Sequence, residues 1–245
     1  MERAQAAGVT TLIEIAESPA TWGAAVALAK KHPYIYASLG IHPHHAHEAG
    51  PAQWPELSRK LRELIKHPKV VAIGEIGLDY FRMQNTKEQQ DYLFRRELDL
   101  AKEIGKPVVI HCREAHEDTQ KVLFQYYTET SYERSRPEPY GVIHCFSGTW
   151  EDAQAYLSHG FMLGVDGPVT YPNSKLLMEN VTRLPLERMV LETDSPYLPP
   201  QTHRGQRNEP AHIPAIAEAV ASLKHIMLER VASQTTLNAQ ALFRL

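Results

Sequence analysis

Four short apolar runs in this chain each end on a residue that can hold a cation. Residues 70–81 read VVAIGEIGLDYF and place Glu75 directly behind a glycine. Residues 108–111 end on His111, residues 141–144 on His144, and residues 189–194 on Asp194. Taken singly, Glu75 reads equally well as an exposed strand-end acid. His111 and His144 each read equally well as a core histidine bonded to a neighbour. Four such groups at four equivalent strand ends read together as one metal site. Two imidazoles with carboxylates suit Zn, Mn, Fe or Ni, and a carboxylate-rich half tolerates Mg. Asp194 fits either of two roles, ligand or general base taking a proton from metal-bound water.

The residues around these four have their own readings. Glu192 shares strand parity with Asp194, two residues deeper, and so reads as a buried acid that needs a partner. Arg113 shares parity with His111 and fits a bidentate hold on phosphate, or a surface ion pair. By the same counting, Val71, Ile73 and Glu75 share one face, and Cys112 and Cys145 point away from the ligands as buried reduced thiols. The tract IHPHHAHEAG brings His42 and His44 near a strand exit, where they suit substrate contact. His45 and His47 read as adventitious surface binders. Arg207, with Arg204, Asn208 and Glu209, sits on a loop that is either a substrate-facing rim or simply solvated.

Strands and helices that strictly alternate must supply this geometry. Strand patterns start at Val9, Tyr34, Val70, Val108, Gly141, Phe161 and Met189, with amphipathic helices between them. The strand that presents Glu75 is expected to stop at Gly74. A polar excursion is expected from Thr130 to Pro139. Two helices, 213–224 and 227–234, then close the chain with 238–243. Alternation of this kind means parallel βαβ units, and nearly all-apolar strand cores mean both faces are covered. The expected fold is α/β, a TIM-type (β/α)8 barrel whose site lies at the C-terminal strand ends. A doubly wound sheet is the runner-up, but no Gly-rich phosphate fingerprint follows an early strand. The count reaches seven strands because the first β-strand is expected to be missing ahead of the helical stub 2–7, within one N-terminally incomplete domain spanning 1–245.

Charge and composition limit the partners. A net charge of −3 leaves no broad cationic surface for coating nucleic acid, so any such substrate would be held locally in a cleft. Two cysteines make no disulfide framework, and no run resembles a signal peptide or a spanning helix. A cytoplasmic setting is expected, with no membrane association and nothing that calls for an obligate protein partner.

In family order along nearly the whole chain, GIHPHH (40–45), GEIGLDYF (74–81), VIHCRE (109–114), VIHCFSG (142–148), LETDSPYL (191–198) and RGQRNEP (204–210) resemble the TatD family of metal-dependent deoxyribonucleases. The resemblance implies an amidohydrolase-like barrel that uses one or two divalent metals to hydrolyse DNA. It implies that Glu75 bridges the metals, that His111 and His144 complete one, and that Asp194 serves the other and acts as base. The family's first strand carries a His-x-His pair that this sequence lacks, which agrees with the strand count and implies a weakened second metal and poor nuclease activity. The expected activity is exonuclease action on single-stranded DNA ends. The alternatives are an amidohydrolase acting on a small metabolite, or a degenerate, non-catalytic member.

Overall fold

A computed structural model describes residues 1–127 and 139–245, so nearly all of the expected excursion from 130 to 139 lies outside the described residues. Helix α1 (Glu2–Ala6) leads into strand β1 (Leu12–Ala16), helix α2 (Trp22–Lys31), β2 (Ile35–Leu39) and α3 (Trp54–Ile65). Next come β3 (Val70–Asp79), α4 (Lys87–Ile104), β4 (Val108–Arg113), α5 (His116–Tyr126) and β5 (Gly141–Ile143). The chain continues through α6 (Trp150–Ser158), β6 (Phe161–Val165), α7 (Lys175–Arg183), β7 (Met189–Leu191), α8 (Ile213–Lys224) and α9 (Leu228–Phe243). The seven strands seen among the described residues match the expected seven. The chain forms two compact units, Thr11–Val142, and Met1–Thr10 with Ile143–Leu245. Among the described residues, no helix is long and apolar enough to cross a membrane.

In the Thr11–Val142 unit, β1 to β4 pair in parallel and in chain order. β3 departs from the sequence expectation. It runs ten residues rather than stopping at Gly74, so Glu75 lies mid-strand and Asp79 at the end. The extension exists because β3 stays in register with β4, Gly77 opposite His111 and Asp79 opposite Arg113. Gly77 permits this approach. It holds φ 143°, and a Cβ there would lie 2.0 Å from the His111 carbonyl oxygen. Between Ile73 and Ile76 the register slips, three steps on β3 meeting two on β4 (Val108 to Ile110). That extra residue is a bulge, and counting by twos does not carry across it. The expected shared face of Val71, Ile73 and Glu75 is therefore broken at Gly74–Glu75.

Helix α4 covers this sheet. Thr86 and Gln89 form a reciprocal capping box at its start, and Gly105, at φ 69°, ends it in the left-handed conformation. Its buried positions include Leu93, Phe94, Leu98 and Ala101, at the spacing of one helical face. Glu97 lies among them, fully buried, with Oε1 accepting the Ile41 backbone N–H at 2.7 Å. It thereby ties α4 to the start of the histidine-rich segment. Burial drives the Glu97 carboxyl well above its ordinary pKa, the Ile41 bond opposing only weakly.

In the unit containing Ile143–Leu245, β6 and β7 pair in parallel, Leu163 opposite Met189 and Val165 opposite Leu191. The two stretches expected at 227–234 and 238–243 form the single helix α9. Thr235 fits inside it because its hydroxyl donates to the Val231 carbonyl at 2.8 Å. Asn238, mid-helix, donates to the carbonyls of Leu186 and Met189, each at 2.7 Å, and so anchors the entry to β7.

Glu97 makes stability depend on pH. A carboxyl whose folded pKa is raised binds more protons folded than unfolded, so its contribution is full below the ordinary carboxyl pKa and is lost as pH rises towards the folded value. Glu97→Gln keeps an acceptor for Ile41 and removes the ionisation. Its melting temperature relative to wild type should therefore climb as pH rises above the ordinary carboxyl range, as read by thermal denaturation. A difference that stays constant over that rise would contradict the assignment.

Candidate metal centre

The Thr11–Val142 unit gathers three of the residues singled out from the sequence. His111 Nδ1 lies 2.6 Å from Glu75 Oε1, and His42 Nε2 lies 3.1 Å from His111 Nδ1 and 3.7 Å from Glu75 Oε1. One donor atom from each of His42, Glu75 and His111 falls within 4.8 Å of the others, a set able to hold a metal ion. Nitrogen and carboxylate oxygen in this mix fit a divalent first-row cation.

Asp79, which the sequence reading passed over, organises the cluster. It is 1% exposed, and its Oδ2 accepts from His44 Nε2 at 2.8 Å and from His111 Nε2 at 3.2 Å. Its Oδ1 accepts the backbone N–H groups of Phe81 at 3.0 Å and Arg82 at 2.8 Å. Burial alone would raise the Asp79 pKa. Bonds from His111, the Arg82 N–H and His44 outweigh burial and hold the carboxyl below its usual range. An imidazole that donates one N–H to a fixed carboxylate presents its other nitrogen as a lone pair. Asp79 therefore turns His111 Nδ1 towards Glu75. The sequence signal was present, since Asp79 is the acid that ends the run once β3 is given its full length.

His42 is held differently. Its Nδ1 accepts the His44 backbone N–H at 3.1 Å, so in the neutral ring the proton sits on Nε2. Burial lowers its pKa to about 3 against the opposing charge of Glu75, and keeps the ring neutral. In that tautomer His42 Nε2 donates towards His111 Nδ1, and the ring would join a cation in this cluster only with Nε2 deprotonated. His44 is engaged by Asp79, while His45 pairs with Glu48 at 2.8 Å and His47 Nδ1 lies 2.9 Å from Asn85 Oδ1. Arg113 is exposed, its guanidinium 4.1 Å from the centre of the Phe81 ring.

The unit containing Ile143–Leu245 brings His144 and Asp194 together. His144 Nδ1 meets Glu192 Oε2 at 2.7 Å, and its Nε2 lies 3.3 Å from Asp194 Oδ1. Glu192, expected to be buried, is half-buried, and it has the partner it was expected to need; its other oxygen accepts the Cys145 backbone N–H. Gly164 makes the room, since a Cβ there would lie 2.2 Å from Glu192 Oε1. Asp194 holds φ 51°, the left-handed region that costs a non-glycine residue roughly 1–2 kcal/mol. The following turn closes with the Tyr197 N–H on the Asp194 carbonyl at 2.8 Å. Buried Asn208 braces this turn by donating to the carbonyls of Thr193 and Tyr197, so the 202–210 loop is built rather than merely solvated. Arg207 is exposed on it.

Asp166 is the second acid missed from the sequence, although it directly follows β6. It is 1% exposed and accepts from the Cys145 thiol at 3.0 Å. Burial and then the charge of Glu192 raise its pKa to about 7. Burial, with the Asp166 charge next, pushes the Cys145 thiol up. Cys112 Sγ lies 3.2 Å from His116 Nδ1, and neither cysteine is in a disulfide.

Both histidines depend on a carboxylate behind the ring. Asp79→Asn and Glu192→Gln, which keep size and remove the charge, should each weaken divalent-metal affinity by about 10- to 100-fold, as measured by calorimetric titration. Unchanged affinity in both would show that these acids do not orient the rings.

Comparison with known proteins agrees with this picture. The family described as TatD related DNase matches residues 1–244. The chain is 38% identical over 245 residues to the "Uncharacterized metal-dependent hydrolase YabD" of Bacillus subtilis, covering all of this chain and 91% of that protein. It is 38% identical over 252 residues to the "3'-5' ssDNA/RNA exonuclease TatD" of Erwinia billingiae, covering all of this chain and 92% of that protein. The crystal structure of YJJV, a TatD homologue from Escherichia coli, superposes with a TM-score of 0.89 at 31% identity, covering all of this chain and 90% of that one. The likeness bears out the expected fold class, α/β of the TIM-barrel type with seven strands. This chain belongs to the TatD family of metal-dependent hydrolases.

Proposed function

We propose that the protein is a divalent-metal-dependent nuclease that cleaves DNA phosphodiester bonds from single-stranded ends, with Glu75, His111, His144 and Asp194 as its metal ligands. One observation carries the reading. His111 and His144 each rest one ring nitrogen on an orienting carboxylate, Asp79 or Glu192, and turn the other towards a second carboxylate, Glu75 or Asp194. The name of the Erwinia billingiae relative supports a single-stranded substrate and 3′-to-5′ polarity. A net charge of −3 favours a strand end held locally over a wrapped duplex.

A bound divalent cation supplies Lewis acidity at the phosphoryl oxygens and eases deprotonation of water. Asp194 takes the proton of the attacking water; its side chain is 31% exposed, against 12% for Glu75, so solvent reaches it more readily. His42 donates Nε2–H, and His44 lies beside it on Asp79. Arg113 and Arg207, both exposed, hold the phosphates of the strand. Two cysteines outside any disulfide support a reducing, cytoplasmic setting.

Digestion of an end-labelled single-stranded oligonucleotide tests the reading. Cleavage should require added Mg, Mn or Zn and stop with a chelator. Asp194→Asn should lower kcat by about 100- to 10,000-fold, and Glu75→Gln should lose both metal and activity. Hydrolysis of small amides in place of the oligonucleotide would establish an amidohydrolase, and metal binding without turnover of either would establish a non-catalytic protein.

A further inference from the structure

Beyond β3 the chain presents two aromatic rings with opposite fates. Tyr80 is anchored: its hydroxyl donates to Asp118 Oδ2 at 2.8 Å, and Lys87 Nζ lies 3.7 Å from its ring centre. Phe81 is left 54% exposed. It has no polar handle to justify that exposure, and covering such a ring removes apolar surface from water. The Arg113 guanidinium stands 4.1 Å from its centroid, a cation–π contact that steadies the ring from one side.

The ring is also placed with care relative to the metal-ligating cluster. The Phe81 N–H donates to Asp79 Oδ1, and the other oxygen of that carboxylate meets His111 Nε2. Arg113 stands opposite Asp79 in the β3–β4 register, and the Tyr80 N–H donates to the Arg113 carbonyl at 2.9 Å. One buried carboxylate thus sets both the imidazole and the root of the exposed ring. A flat apolar face with a guanidinium behind it, fixed beside a cation-binding cluster, suits an unpaired nucleobase whose phosphate the same arginine can reach. A duplex, whose bases are already stacked, offers no such face.

We infer that Phe81 and Arg113 form a stacking step for a nucleobase of single-stranded nucleic acid. This inference rests on the nuclease reading and adds the groups that grip the strand. It predicts a preference for bases rather than for backbone alone, at the nucleotides nearest the reacting end.

The test compares an ordinary single-stranded oligonucleotide with one whose terminal nucleotides are abasic, using the metal-loaded full chain. Wild type should show a KM about tenfold lower for the strand that keeps its bases. Phe81→Ala should erase that ratio, and Phe81→Trp, which retains a π-face, should preserve it. A 2-aminopurine near the strand end should be quenched on binding to wild type and Phe81→Trp, and far less with Phe81→Ala. Equal KM for the two strands with wild type, or a ratio retained in Phe81→Ala, would overturn the stacking step while leaving nuclease activity intact. Absence of metal-dependent cleavage of both strands would instead count against the nuclease reading, and absence of quenching with wild type would still refute the stacking.

Discussion

An imidazole held from behind by a carboxylate is the interaction on which this molecule depends. A histidine can ligate a cation only if its free nitrogen is unprotonated and aimed, and both conditions are set by what the opposite nitrogen donates to. His111 is set by Asp79, and His144 by Glu192. Each compact unit meets the same requirement with different elements: the end of one long strand in the first, and the exit of β7 in the second. Asp79 is buried, so removing a partner would leave its charge stranded at a cost of about 3–5 kcal/mol, and this acid weighs on the fold as well as on the chemistry.

These carboxylates need space and partners, and the backbone is shaped to supply much of both. Gly77 lets β3 press against the His111 carbonyl, which is what carries β3 as far as Asp79. Gly164 leaves the volume that the Glu192 carboxylate fills. Where the chain turns after β7, Asp194 adopts a left-handed φ that its own preference disfavours, and Asn208 holds that turn through two carbonyls. Glu97, buried on α4 with its pKa raised by burial, is the counterpart away from the candidate ligands, offering the Ile41 N–H an acceptor just ahead of His42. Asp79 meets the rule that a buried polar atom has a neighbour placed to receive it, whereas Glu97 bonds through Oε1 alone and leaves Oε2 buried without a partner among the described residues.

Much of this was legible in the amino-acid order. Period-two and period-3.6 patterning placed the seven strands and most helices to within a few residues, because apolar spacing is a local signal. Glu75, His111, His144 and Asp194 stood out because each ends an apolar run. Glu192 was recognised as an acid needing a partner because a carboxylate that deep must have one. Helix α9 runs unbroken through 235–237, where the Thr235 hydroxyl bonds back to the Val231 carbonyl and the Asn238 amide finds its acceptors outside the helix.

Residue type and order by themselves determined the α/β succession and which side chains could bind a cation, since both follow from properties each residue carries alone. Only the tertiary structure decided that β3 continues to Asp79 across a bulge, that His42 turns a donor rather than a lone pair to its neighbours, and that Phe81 stays exposed while Tyr80 is tied down. Strand register, tautomer and exposure belong to pairs of residues distant in the chain, and no local pattern encodes a partner that folding has yet to bring near.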